Sequence, residues 1–312
     1  MTHIAIEPAP HIAWDTGSEE GPVLLATKPY NGLDAPLAIA RWLSAREERE
    51  LHVVTVLEQP NGIIESAGIP PLPLRYDEGA RASLANELRR SLTLDGTGGD
   101  LPNVDVLDGP AAQAIVDVAR QRGARVIVIG TGKHDPLGRV IYGERALDIV
   151  TLADRPVLIV PRNALARSVA LAVVAVDFSP ASLRAACAAL PMLSAGSKLV
   201  LMHVRNVVPE KGDFTERREF AYEHECEEKF KGFLRRLPSL PGVVIETRYV
   251  RGDPAGTIVA LANVNEAGLI ACGRAGHSFV QRMLVGSVSS AIIRHASCPV
   301  LVAPELPADR VA

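Results

Sequence analysis

The 312-residue chain has few aromatics, few cysteines, no long apolar run and no excess of one charge. Aromatic residues make up 4% of it, so a surface that stacks nucleobases in a row is not expected. With 33 basic against 36 acidic residues the net charge is −3, which removes the electrostatic basis for binding nucleic acid. The longest apolar stretch, Val169–Val176, is far shorter than a bilayer requires, so no membrane span is expected. Met1–Glu7 has no basic segment leading into an apolar core, and no secretion signal is expected. The four cysteines, Cys187, Cys226, Cys272 and Cys298, all fall in the second half and form no Cys-x2-Cys pair. They read as structural thiols of a reduced, cytoplasmic protein, not as disulfides or metal ligands. His224-Glu225-Cys226 comes nearest to a ligand cluster and reads as a charged helix surface.

What is present is ordinary globular composition, 47% apolar and 22% charged, at a length that suggests two domains. The chain repeats itself. Val126-Ile-Val-Ile-Gly130 resembles Leu269-Ile-Ala-Cys-Gly273, and Arg155-Pro-Val-Leu-Ile-Val-Pro161 resembles Cys298-Pro-Val-Leu-Val-Ala-Pro304. Gly109 and Gly252, Gly130 and Gly273, Gly143 and Gly286, and Pro156 and Pro299 are each 143 residues apart. A single offset across four anchors marks a tandem duplication. The expected layout is a loose leader over 1–21, a first domain over 22–162, a second over 167–304 and a tail over 305–312.

Both repeats alternate apolar strand-like runs with amphipathic helical segments. In the second, strands are expected at Val169–Val176, Leu199–Val204, Val243–Val250, Leu269–Cys272 and Pro299–Val302, with helices between them, the first from Ala181 to Ser194. Continuous apolar strands between helices imply a parallel, doubly wound α/β sheet buried on both faces. Ligands of such sheets bind beyond the carboxyl ends of the strands, so the residues after Val176, Val204 and Cys272 carry the most weight. Gln59–Leu74, with four prolines, is expected to run over the surface.

After the fourth strand of the second repeat comes Gly273-Arg-Ala-Gly276, then Gly286-Ser287 after nine intervening residues. Gly273 and Gly276 are expected to allow positive φ and close approach of a ligand to the backbone. Gly286 and Ser287 put free N–H groups and a hydroxyl at a helix N-terminus, which favours an anion. After the first strand, Asp177 in Val176-Asp-Phe-Ser179 places a carboxylate where ribose or adenine can donate to it. His277 has no sequence partner that would make it catalytic, and His203 reads as a satisfied, partly buried histidine.

These residues, together with His203-Val204, Gly252-Asp-Pro254 and Cys298-Pro-Val-Leu-Val302, make the chain resemble the universal stress protein family in its tandem two-domain form. The resemblance covers both repeats. It implies two Rossmann-like domains of the adenine nucleotide alpha hydrolase type, each a five-stranded sheet of order 3-2-1-4-5. It implies ATP, with or without Mg2+, as the ligand. Carried over by position, Asp177 and backbone groups at Val204 hold the adenosine end, with Val176 and Cys272 beside them. Gly273, Gly276, Gly286, Ser287 and Val288 line the ribose and phosphates; Ser289 is a further candidate, and Arg274 and Arg282 are candidates for neutralising phosphate. The family also implies pairing of the two fifth strands within the chain as a pseudo-dimer, with a homodimer and an unidentified regulatory protein as further partners.

The first repeat departs from the pattern. Lys133 stands at the second glycine, Glu144 at the serine, and Thr27 or Lys28 at the aspartate. A carboxylate at a helix N-terminus suits the dipole but repels phosphate, so one competent site, in the second repeat, is expected. Gly132-Lys133 is no P-loop, since His134 follows the lysine. The functional expectation is a regulatory ATP-binding protein of the stress response, with little or no hydrolysis. The alternatives are a slow ATPase and a scaffold that binds no nucleotide. An adenylating enzyme is disfavoured, because Asp177-Phe-Ser-Pro180 supplies no Ser-Gly-Gly loop.

Overall fold

The computed structural model describes residues 21–27, 34–57, 78–93, 102–131, 139–165, 169–206, 215–274 and 285–305. In the first half, strands β1 (Val23–Thr27), β2 (Leu51–Leu57), β3 (Asn103–Asp108), β4 (Val126–Gly130) and β5 (Val157–Val160) alternate with helices α1 (Asp34–Arg46), α2 (Glu78–Thr93), α3 (Ala111–Gln121) and α4 (Arg139–Leu152). The second half repeats this with β6 (Val169–Ala175), α5 (Pro180–Ala189), β7 (Leu193–Arg205), α6 (Thr215–Leu234), β8 (Val244–Arg251), α7 (Pro254–Val264), β9 (Leu269–Gly273), α8 (Ser287–His295) and β10 (Val300–Ala303).

The ten strands form one sheet of order β3-β2-β1-β4-β5-β10-β9-β6-β7-β8. Each half therefore has order 3-2-1-4-5, parallel throughout, and the fold is a tandem Rossmann-like α/β pair. The halves meet where β5 and β10 pair antiparallel, Ile159 opposite Val300, Leu158 opposite Leu301 and Val157 opposite Val302. These six side chains are at most 2% exposed. Pairing them removes two apolar edges that would otherwise template association. The sheet's outer edges are β3 and β8, and β8 carries Glu246, which pairs with Arg248 of the same strand and with Lys198 of β7.

Burial explains the apolar strands. One face packs on α1, α2, α5 and α6 through residues such as Leu43, Leu88, Leu183 and Phe233. The other packs on α3, α4, α7 and α8 through Val116, Ile149, Ile258 and Ile292. Each core runs across both halves. A fully buried Leu or Ile contributes about 1.5–3 kcal/mol of transfer free energy, so the two halves share one source of stability.

The duplication is visible in backbone detail. Gly109 and Gly252 both follow an edge strand at positive φ, +116° and +151°, and each donates its N–H to the last residue of the neighbouring strand, Leu57 or Arg205. Register relates the two halves: Val23 lies between Leu51 and Val126 as Ala172 lies between Leu199 and Leu269. This register sets Thr27 against Val176 and Thr55 against His203. The residue matched to Asp177 is then Lys28, which is outside the described residues.

Three elements differ from expectation. The helix expected over Ala181–Ser194 ends at Ala189, because Pro191 has no N–H to continue it. A single 3-10 turn, Leu190–Met192, follows. The next strand accordingly begins at Leu193, with a register shift closed by Ser197 accepting from the Ser194 N–H. Finally, α4 begins at Arg139 rather than Ala146. The leader, Gln59–Leu74 and the tail from residue 306 fall outside the described residues.

Candidate functional site

A cavity of about 290 Å3 opens at the carboxyl ends of β6, β7 and β9. Its walls are Ala175, Val176 and Asp177 after β6; Met202, His203 and Val204 on β7; Pro254 and Ile258 on α7; Cys272 and Gly273 on β9; and Gly286, Ser287, Val288 and Ser289 at the start of α8. Small-molecule sites begin at about 300 Å3, so the cavity is at the small end of that range. Most of the sequence candidates converge here: Val176, Asp177, Val204, Cys272, Gly273, Gly286, Ser287, Val288 and Ser289. Gly276, His277 and Arg282 lie outside the described residues. Arg274 does not line the cavity: its guanidinium reaches the carbonyls of Thr151 (2.8 Å) and Ala153 (2.9 Å) in the first half.

The floor is set by strand order. The sheet reverses direction of travel between β6 and β9, which splits the loops above it and leaves the opening. Val176 extends the β6 ladder by donating its N–H to Met202 (2.8 Å). Asp177 then turns the chain, its Oδ1 accepting from the Ser179 N–H (3.0 Å) and Oγ–H (2.5 Å). Ser179 in turn caps α5 by accepting from the Ser182 N–H (3.2 Å). The turn puts Phe178 at φ +63°, a conformation that costs a bulky residue about 1–3 kcal/mol. Its ring packs on His203 at 4.8 Å and edge-on to Phe230 at 5.0 Å, and that packing holds the turn.

Gly273 has a different reason to be glycine than the one expected. It is not among the described glycines at positive φ. A Cβ there would lie 2.9 Å from the Ala181 Cβ and 3.0 Å from the Ala181 carbonyl carbon and the Ser182 nitrogen. Its missing side chain lets β9 press against the first turn of α5.

The helix termini at the cavity are unequal. α7 is capped by Asp253, whose Oδ2 accepts from the Gly256 N–H (2.7 Å), and α5 by Ser179. α8 starts at Gly286, which has no side chain to cap it. Its first ladder bond is Ser290 N–H to the Gly286 carbonyl, which leaves the N–H groups of Ser287, Val288 and Ser289 without intrahelical partners. Ser289 Oγ donates to the Gly273 carbonyl (2.6 Å), tying helix to strand. Under it lies the Cys272 thiol, whose pKa burial pushes up to about 12, so it is a wall and not a nucleophile.

Among the described residues of the first half, the matched position is not at a helix terminus. Gly143 and Glu144 are the fifth and sixth residues of α4, past the four that lack intrahelical donors' partners. Glu144 was expected at the helix N-terminus; the earlier start of α4 puts it inside the helix instead.

His203 is the wall residue whose role the sequence left modest. Its Nδ1–H donates to the Val176 carbonyl (2.7 Å), and its Nε2 accepts from the Tyr222 hydroxyl (3.0 Å). Burial, the largest cause, lowers its pKa from the ordinary value of about 6.5, against the Val176 hydrogen bond and Asp177, which raise it, and with Lys229 and Arg205. The folded state thus favours neutral imidazole. The stability this contributes is full above about pH 6.5 and is lost as pH falls below that value. An NMR titration of the His203 ring is expected to show a midpoint below 6.5; a midpoint at or above it would contradict this arrangement. Met202, Pro254 and Ile258 complete the apolar wall. Met202 borders the His203-Val204 motif and Pro254 ends the Gly252-Asp-Pro254 motif, whereas Ile258, past the first turn of α7, reaches the cavity only through the packing of that helix.

The universal stress protein family model matches this chain twice, over residues 22–161 and 172–304. A universal stress protein of Mycolicibacterium smegmatis is 29% identical over 197 residues, 61% of this chain and 65% of that relative. A Staphylococcus haemolyticus relative bearing the same family name is 44% identical over 87 residues, 27% of this chain and 52% of the relative. The chain thus spans about half to two thirds of the length of these curated relatives. In fold, it is similar to the crystal structure of a universal stress protein from Archaeoglobus fulgidus, with TM-score 0.59 at 19% identity over 92% of this chain and 97% of that one.

Proposed function

Because the chain belongs to the universal stress protein family, matched in tandem by both halves, we propose that its second domain binds ATP and acts as a regulatory module of the stress response. The observation that carries this reading is the uncapped N-terminus of α8 facing the cavity, beside two helices that are already capped. Of these three helices, α8 is the one whose N-terminus has no side-chain cap, so an anion is drawn there. In this reading Asp177 and the strand-end backbone at Val176 and Val204 receive the adenosine end, against the apolar wall of Met202, Ile258 and Cys272. Gly273, Gly286 and the N–H groups of Ser287, Val288 and Ser289 receive ribose and phosphates, with Gly276 joining them by its place in the motif.

Asp177 is the one carboxylate among the described wall residues, and its Oδ1 already accepts twice from Ser179. That supports binding with little or no hydrolysis, with or without Mg2+. The first domain, 22–162, acts as a scaffold, and the β5–β10 pairing supports an intrachain pseudo-dimer. A homodimer and a regulatory protein partner remain part of the same reading. Four free thiols suit a reducing, cytoplasmic setting, and no described helix is long and apolar enough to cross a membrane.

The test is to purify the protein without added nucleotide, denature it, and identify released small molecules by mass spectrometry. One ATP per chain is expected. Two would overturn the one-site assignment; none, with no binding on titration, would leave a scaffold without nucleotide.

A further inference from the structure

Arg274 stands one residue beyond the cavity, between Gly273 and the segment that returns to α8. Its main chain joins both ends of that segment. The Arg274 N–H donates to the Ala303 carbonyl of β10 (2.8 Å), and the Arg274 carbonyl accepts from the Gly286 N–H (2.7 Å). Gly286 is the N-cap of α8. Where residue 274 sits therefore sets where the α8 N-terminus sits.

The side chain runs the other way, into the first half. Its Nη1 donates to Thr151 (2.8 Å) and Ala153 (2.9 Å), with the Val150 carbonyl at 3.4 Å. These carbonyls lie at the carboxyl end of α4, where the helix leaves acceptors without intrahelical donors and partial negative charge collects. The last turn of α4 holds no basic residue of its own. Arg184 of α5 takes the next carbonyl, Asp154 (3.3 Å), and that of Pro304 (3.3 Å). Two guanidinium groups from the second half thus cap a helix of the first.

The duplication supplies a built-in comparison. Thr131 occupies the position matched to Arg274, and its N–H donates to the Val160 carbonyl (3.1 Å) just as Arg274 donates to Ala303. The backbone arrangement is duplicated and the guanidinium at this position is not, so the first half has no counterpart of this tie at Thr131. A direct role for Arg274 in neutralising phosphate, expected from its place in the motif, does not suit a side chain engaged across the domain boundary.

We infer that Arg274 is a positioning residue that rests the α8 N-terminus of the second domain on the α4 terminus of the first, so that the anion-binding end of the site is complete only in the tandem chain. This rests on the reading of the cavity as an ATP site. It also gives the first domain, whose own site departs from the pattern, a part in binding at the other.

The experiment measures ATP and adenosine binding to the full chain by isothermal titration, with wild type, Arg274→Ala and Arg274→Lys. Wild type is expected to bind ATP. Arg274→Ala is expected to lose about tenfold in ATP affinity, the scale of one charge-assisted hydrogen bond, with adenosine affinity within about twofold. Arg274→Lys keeps the charge, but its ammonium sits on a shorter side chain than the Nη1 that serves these carbonyls, and it is expected to fall with alanine. Hydrogen exchange adds a readout free of nucleotide: the Gly286 amide is expected to exchange about tenfold faster in Arg274→Ala. If wild type binds no ATP, the ATP reading falls, and the binding role of Arg274 falls with it. If wild type binds and both variants match it, the positioning role alone is overturned. A lysine variant with full ATP affinity would instead make Arg274 a plain charge near phosphate. Equal losses for ATP and adenosine would make it merely structural. Either result overturns the inference.

Discussion

Replacing Ser287 with glutamate is expected to weaken ATP binding by at least about 100-fold while leaving the fold intact. Ser287 is the first residue of α8, exposed at the mouth of the cavity, and Gly286 before it offers no capping side chain. A carboxylate in the first turn complements the helix dipole and is worth about 0.3–1 kcal/mol to the helix, so thermal stability should hold or rise slightly. The same carboxylate stands where phosphate is proposed to lie. Two unit charges 4 Å apart repel by about 4 kcal/mol at the effective dielectric of a protein surface, more than the 100-fold loss requires. The substitution also transfers to the second repeat the residue that the first carries at the aligned position, Glu144. Titration with ATP and a thermal melt decide the matter. Affinity within threefold of wild type, in a folded variant, would remove phosphate from the α8 terminus.

Leu301→Ala is expected to destabilise the whole chain by about 3 kcal/mol. Leu301 is 2% exposed on β10 and lies opposite Leu158 of β5, which is fully buried. Truncation leaves a cavity at the centre of the ten-stranded sheet, in a core that continues into both halves. The consequence is cooperative. Trp42 packs against the same core from α1 in the first half. Its fluorescence should therefore shift to lower urea together with the far-UV circular dichroism of the whole chain. A fluorescence midpoint that stays in place while the dichroism splits would show that the halves unfold independently.

Much of this was legible in the residues. Parallel strands buried on both faces need continuous apolar runs, as at Val126–Ile129 and Ala172–Val174. The four glycine and proline pairs at one offset mark the duplication, and in one of them, Gly109 and Gly252, both members hold a positive φ that glycine adopts most readily. Strand ends are also easy to find, and a doubly wound sheet gathers them, so residues far apart in sequence meet at one cavity. Element starts were less legible. Nothing local distinguishes Arg139 from Ala146 as the first residue of α4. The early end of α5 at Ala189 depends on a single proline whose effect a helical periodicity does not register.

The sequence by itself determined the layer architecture, the duplication and the strand ends at which a ligand would meet the protein, because periodicity, turn residues and burial are local properties of the chain. Only the tertiary structure decided what each residue there does. Gly273 is small because α5 presses on it, burial lowers the pKa of His203 where it bonds Val176 and Tyr222, and Arg274 leaves the motif to reach a carbonyl 121 residues away. Those roles depend on which group lies across a gap, on its charge and on its distance, and no linear pattern carries that information.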